Sequence, residues 1–143
     1  MLIAEDLESE VILLKVAFAK AAVRVPLNFV NDGQEAVEYL EGSGDYADRL
    51  AHPFPKILLL DLKMPRLNGF EVLKWVRTRP RLKRLAIVIF STSAQESDVN
   101  RAYDLGVNSY VVKPLSLTQL GELGKVLEEY WYGLNVSGDC GER

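Results

Sequence analysis

The sequence predicts an α/β fold, a doubly wound parallel sheet of five strands that can be written (βα)5. Two observations predict it. Strand-like and helix-like segments alternate from end to end, and the runs ILLL (57–60) and AIVIF (86–90) are continuously apolar. Alternation of this kind calls for crossover connections and therefore for parallel strands. Unbroken apolar strands are what such a sheet needs when helices cover both of its faces.

Each element has its own justification. Leu2-Ile3-Ala4 is a short apolar first strand, and a helix over residues 9–22 follows with Val11, Leu14, Phe18 and Ala22 at helical spacing. Residues 27–30, LNFV, alternate as a second strand, and Asn31-Asp32-Gly33 caps a helix through residue 40. Residues 42–55 form a loop of glycine, proline and charge, with a short turn of helix expected at 46–50. The third strand is 57–60, and Phe70, Leu73 and Val76 or Arg77 mark one side of a helix over 70–77. The fourth strand is 86–90, and a helix over 96–105 stops at Gly106. Residues 109–112, SYVV, form the fifth strand. Ser116 and Gln119 make a capping box for a last helix whose stripe runs through Leu120, Leu123, Leu127 and Trp131 or Tyr130.

Length and charge exclude several classes of function. A chain of 143 residues suits one domain with a real core. A net charge of −3 gives no whole-molecule attraction to nucleic acid or anionic lipid. The longest apolar-rich run, residues 11–25, is interrupted by Lys15, Lys20 and Arg24, too many charges for a bilayer span. MLIAED has neither a basic nor an apolar leader region. With Cys140 the only cysteine, a reducing compartment is favoured, and the expected location is the cytoplasm.

Function in a parallel α/β sheet collects beyond the carboxyl ends of its strands. Those ends carry Glu5-Asp6 after the first strand, Asp61 after the third, Ser91-Thr92 after the fourth and Lys113-Pro114 after the fifth. A lone aspartate after a strand is commonly a helix N-cap. Four strand ends bearing reactive or polar groups are not explained by capping, and Asp61 leads into Leu-Lys-Met-Pro rather than into a helix. Three carboxylates, Glu5, Asp6 and Asp61, in one crevice repel each other unless a cation sits among them. Oxygen ligands without thiols suit Mg²⁺ or Mn²⁺. With the Lys113 ammonium and a hydroxyl, such a cation makes a receptor for phosphoryl oxygens.

These residues, together with Met64-Pro65, Gly69 and Tyr110, resemble the receiver domains of two-component response regulators over about residues 2–130. The spacings of 30 from Asp61 to Ser91 and 22 from Ser91 to Lys113 fit that pattern. The resemblance implies a flavodoxin-like sheet of strand order 2-1-3-4-5, with the receiver in residues 1–134 and a flexible tail in 135–143. It implies that Asp61 accepts a phosphoryl group from a sensor histidine kinase. Glu5, Asp6, Asp61 and the Lys63 main-chain carbonyl would hold the metal, while Ser91, Thr92, Tyr110 and Lys113 would bind the phosphoryl group or switch with it. A cis bond would precede Pro114. The family members are phosphoproteins that lose the group again without being turnover enzymes. Gly69 and Asn68 are expected to supply unusual backbone angles to the metal cradle. The longer loop 42–55, the connection 77–84 and the ending EEYWYGLN resemble the single-domain regulators paired with bacterial, cyanobacterial-type phytochromes. A phytochrome is therefore the expected kinase.

Departures from the family pattern are Glu5 in place of aspartate, Thr92 in place of a small alanine, and Lys63 two residues after the acceptor. With no output domain expected in so short a remainder, signalling would run through protein contacts or onward phosphotransfer. The partners implied are the kinase, a downstream protein and a second copy docked through the last strand, last helix and C-terminal aromatics. Tyr130, Trp131, Tyr132 and Leu134 serve equally well to cover the lower edge of the core. The basic residues Lys74, Arg77, Arg79, Arg81, Lys83 and Arg84 have only Trp75 nearby and read as a solvated or protein-docking face, not a nucleic-acid site. His52, alone in a loop, reads as a surface residue. Two other functions compete with the phospho-acceptor: an aspartate-nucleophile phosphohydrolase and a phosphorylation-independent scaffold. The first needs a second acid where Lys63 stands.

Overall fold

A computed structural model of the chain describes residues 1–140. Five strands, β1 (Leu2–Ala4), β2 (Asn28–Val30), β3 (Ile57–Leu60), β4 (Ala86–Ser91) and β5 (Ser109–Val112), alternate with five helices. The helices are α1 (Glu8–Lys20), α2 (Gly33–Glu41), α3 (Gly69–Arg77), α4 (Glu96–Asp104) and α5 (Leu117–Leu127). The sheet has the order β2-β1-β3-β4-β5, and every pairing is parallel. The expected fold and strand order are borne out.

Alternation along the strands divides the core into two layers. Leu2, Ala4, Leu58, Leu60, Ile87 and Ile89 face Tyr39 and Leu40 of α2, Leu73 and Val76 of α3 and Ala102 of α4. Ile3, Ile57, Leu59, Val88 and Phe90 face Leu14 and Phe18 of α1 and Leu120 and Leu127 of α5. The helix ends follow their sequence signals. Asp32 caps α2 through Glu35 N at 2.8 Å, Asn68 and Glu71 form a reciprocal capping box on α3, and Ser116 caps α5 through Gln119 N.

One local expectation fails for an identifiable reason, and two features of the C-terminal segment add to the expectations. The short helical turn falls at Gly44–Tyr46, not 46–50, because the Asp48 carboxylate accepts from Leu50 N and Ala51 N and turns the chain there instead. The last helix widens into π-helical turns over Glu128–Leu134. Trp131 and Tyr132 thereby reach the α1–α5 core layer, while Tyr130 and Leu134 stay exposed. In the tail, Arg84 Nη1 donates to Asp139 O at 3.3 Å and the Cys140 thiol to Leu82 O at 3.6 Å. The rest of the expected flexible tail, residues 141–143, lies outside the described residues.

Two surface features resolve as structure. His52 packs edge-on against Tyr39 and Tyr46, with ring centroids 5.8 and 5.1 Å away, and anchors the 42–55 loop. Arg77 of the basic stretch donates to the carbonyls of Lys83, Leu85 and Gly106 and to Asn108 Oδ1, pinning the lower end of the sheet. No helix among the described residues is long and apolar enough to cross a membrane.

Candidate functional site

The sheet itself aims the site. Glu5 N donates to Val30 O, Asp61 N to Ala4 O and Lys113 N to Ser91 O, at 3.0, 3.2 and 2.8 Å. Each bond carries the parallel ladder one residue beyond a strand end, so the site side chains leave from positions fixed by the sheet. Carboxylate oxygens of Glu5, Asp6 and Asp61 lie within 4.8 Å of one another. Glu5 and Asp61 are buried, and Asp6 is half-buried.

Lys113 crosses the crevice from β5. Its Nζ is 2.7 Å from Glu5 Oε2 and 3.5 Å from Asp61 Oδ2, with the lysine side chain only 9% exposed. Glu5 Oε1 accepts from Leu7 N at 3.2 Å, and Asp61 Oδ1 from Lys63 N at 3.4 Å. Burial pushes the Asp61 carboxyl up to about 6; Lys113 pulls it down and the Glu5 charge raises it further. Asp6 is raised as well, first by burial and then by Glu5. Burial acts to lower the Lys113 ammonium, but its bonds to Glu5 and Asp61 prevail and raise it, so it stays charged. One ammonium faces three acids. That excess of negative charge, carried wholly by oxygen with the histidine and cysteine elsewhere, fits a hard divalent cation.

The hydroxyl side of the site is organised by a residue that sequence reasoning missed. Ser91 is buried, and its Oγ accepts from Ser93 N at 3.1 Å. Ser93 O accepts from the Tyr110 hydroxyl at 2.8 Å, and Ser93 Oγ donates to Asp98 on α4 at 2.6 Å. Ser93 thus joins Ser91, Tyr110 and α4. Its only sequence signal was a position two residues past a strand end. Thr92 is exposed and lines a hollow of about 230 Å³ with Phe90 and Lys113. Lys63 directs its side chain to solvent.

Two expectations need correction. The bond before Pro114 is trans, as is every peptide bond among the described residues. Trans is the intrinsically favoured isomer by about 0.5–1 kcal/mol, and Lys113 reaches both carboxylates with it. The unusual backbone angle in the cradle belongs to Arg66, at φ 64°, and not to Asn68 or Gly69. Gly69 serves by its size: a Cβ there would sit 2.4 Å from Asp61 O.

Comparison with known proteins agrees with this geometry. The profile of the response regulator receiver domain matches residues 1–124. The probable methanogenesis regulatory protein FilR2 of Methanothrix harundinacea is 34% identical over 140 residues, covering 96% of this chain and 86% of FilR2. Response regulator Rcp1 of Synechocystis is 32% identical over 131 residues, 92% of this chain and 87% of Rcp1. The Mn²⁺-bound crystal structure of Rcp1 superposes with a TM-score of 0.81 over 96% of both chains. The phosphorylated cyanobacterial phytochrome response regulator RcpA superposes with a TM-score of 0.84, at 37% identity over 95% of both chains. The chain belongs to the receiver domains of two-component response regulators.

Proposed function

We propose that Asp61 is the phosphoryl acceptor of this receiver and that Glu5, Asp6, Asp61 and the Lys63 main-chain carbonyl hold Mg²⁺ beside it. The observation that carries the proposal is the placement of the buried Asp61 carboxylate between two further acids and the Lys113 ammonium. In the transfer, an Asp61 carboxylate oxygen forms a bond to phosphorus while the phosphorus–nitrogen bond of a phosphohistidine breaks and its electron pair returns to the imidazole. Bound Mg²⁺ supplies positive charge for the phosphoryl oxygens. Lys113 balances the charge from the other side and exchanges Glu5 for the phosphoryl group. The Ser91 hydroxyl turns to the new oxygens, releasing Ser93 N and loosening the bond from Tyr110.

The donor is a sensor histidine kinase of the phytochrome class, a reading supported by the likeness to RcpA. The site is a switch and not a turnover phosphohydrolase, because the position two residues after Asp61 holds Lys63 and not the second carboxylic acid that such an enzyme uses as its general acid. Residues 1–134 form the receiver and 135–143 a tail. The output runs through protein contacts in the cytoplasm. Exposed Val112, Val126, Tyr130 and Leu134, on β5, α5 and its extension, suit a second copy of the chain. Incubation with acetyl phosphate and Mg²⁺ tests the proposal. Intact mass should rise by one phosphoryl group, the gain should be lost in base, and Asp61→Asn should show none; an unchanged wild-type mass contradicts it.

A further inference from the structure

The loop from Leu62 to Asn68 holds the Lys63 carbonyl, yet its shape is fixed from outside the acidic cluster. Arg66 takes the left-handed backbone conformation, which a Cβ disfavours. Its Nε donates to Asp32 Oδ2 at 2.9 Å. Asp32 is at the same time the N-cap of α2, accepting from Glu35 N through its other oxygen. The contact is close on the backbone side too. A Cβ at Gly33 would lie 2.0 Å from Leu67 O, so only glycine lets the first turn of α2 sit on this loop. Inside the loop, Leu67 N donates to Pro65 O and Gly69 N to Leu62 O, both at 2.9 Å, so a shift at residues 66–67 is carried back to Leu62. Burial acts to raise the Asp32 carboxyl, but the Arg66 guanidinium and the Glu35 N–H hold it low, so both partners are charged at neutral pH.

We infer that Asp32 and Arg66 are positioning residues for the metal site: their ion pair holds the β3–α3 loop in the shape that presents Lys63 to the cation. Neither residue touches the cation. The strand that precedes α2 contributes no acid to the cluster, and this pair gives its helix a part in the site. The inference rests on the reading of Glu5, Asp6 and Asp61 as cation ligands.

Mn²⁺ binding by the full chain, followed through loss of the free-ion EPR signal, tests it with two variants. Asp32→Ser keeps an N-cap oxygen and removes the ion pair. Arg66→Gly removes the pair while relieving the left-handed backbone, so it retains the fold even where Asp32→Ser does not. Each variant should weaken Mn²⁺ binding by about 10-fold, the lower end of the range for residues that orient ligands from outside. The double variant should be no weaker than either single one, since the two residues act as one unit. Wild-type Mn²⁺ affinity in Arg66→Gly overturns the inference and leaves the metal site standing. Absence of Mn²⁺ uptake by the wild-type chain removes the metal reading and this inference with it.

Discussion

Lys113 Nζ lies 2.7 Å from Glu5 and 3.5 Å from Asp61, so without a cation the lysine belongs first to the glutamate. Glu5 reaches across the crevice because its chain is one methylene longer than aspartate. It is 1% exposed, so it requires a partner, and Lys113 supplies it. Removing the lysine strands that charge. Lys113→Met should cost about 3 kcal/mol at pH 8 in chelator, the scale for breaking a buried pair. Adding Glu5→Gln should restore most of the loss. Chemical denaturation of the wild type and the two variants gives the comparison, and equal stability of single and double variants would count against the pairing.

Asp61 titrates high because burial and the Glu5 charge together outweigh Lys113. Glu5→Gln removes one repulsive charge and leaves the ammonium to Asp61. The Asp61 titration should then move down from about 6. Carbon-13 NMR of the aspartate carboxyls reads this directly, and an upward movement would mean that Glu5 is not a source of the shift.

The same raised value fixes a dependence of stability on pH. The folded carboxyl titrates near 6, above its ordinary value of 3.8, so the folded state binds the extra proton between those values. The stability this proton gives is full below 3.8 and is lost as pH rises through 6. In metal-free buffer Asp61→Asn should therefore raise Tm at pH 8, by about 3 °C for a gain near 1 kcal/mol in a domain of this size. The gain should shrink towards pH 5. A constant gain across that range would show that Asp61 ionisation is not its source.

Gly69 admits no side chain. A Cβ would meet Asp61 O at 2.4 Å and Leu62 Cα at 2.8 Å, both of them backbone atoms just past the end of β3. Gly69→Ala should cost more than about 2 kcal/mol, as overpacking against a fixed backbone does. Asn68→Ala, at the neighbouring cap, should cost only about 1 kcal/mol. Urea unfolding of both variants checks the order.

Ser93 links Ser91 and Tyr110. When the Ser91 hydroxyl turns to a phosphoryl mimic, Ser93 N loses its acceptor and the bond from Tyr110 loosens. Beryllofluoride should therefore shift the ring resonances of Tyr110 in wild type and leave them unmoved in Ser91→Ala. A full Tyr110 response in Ser91→Ala would disconnect the two residues.

Much of the site was legible because strand ends are legible. Four polar groups following apolar runs put Glu5, Asp6, Asp61, Ser91 and Lys113 at one edge of the sheet. What could not be read was how the side chains choose among partners. Chain reach decides that Lys113 prefers Glu5, and no spacing in sequence encodes it. Asp32 was legible as a cap but not as the partner of Arg66, since 34 residues separate them and only packing of α2 against the loop brings them together. Arg66 gave no local signal for a left-handed backbone, whereas Asn68-Gly69 gave a misleading one: the asparagine builds a capping box and the glycine makes room. The aromatic ending was balanced between core and surface, and the π-helical turns divide it between the two.

Borohydride trapping tests the central assignment most directly. It reduces an aspartyl phosphate to homoserine, which peptide sequencing by mass spectrometry locates to a single residue. After exposure to acetyl phosphate and Mg²⁺, homoserine should be found at position 61 and should be absent when the metal is chelated. Homoserine at another position, or none at all from a chain that binds the metal, would contradict Asp61 as the acceptor.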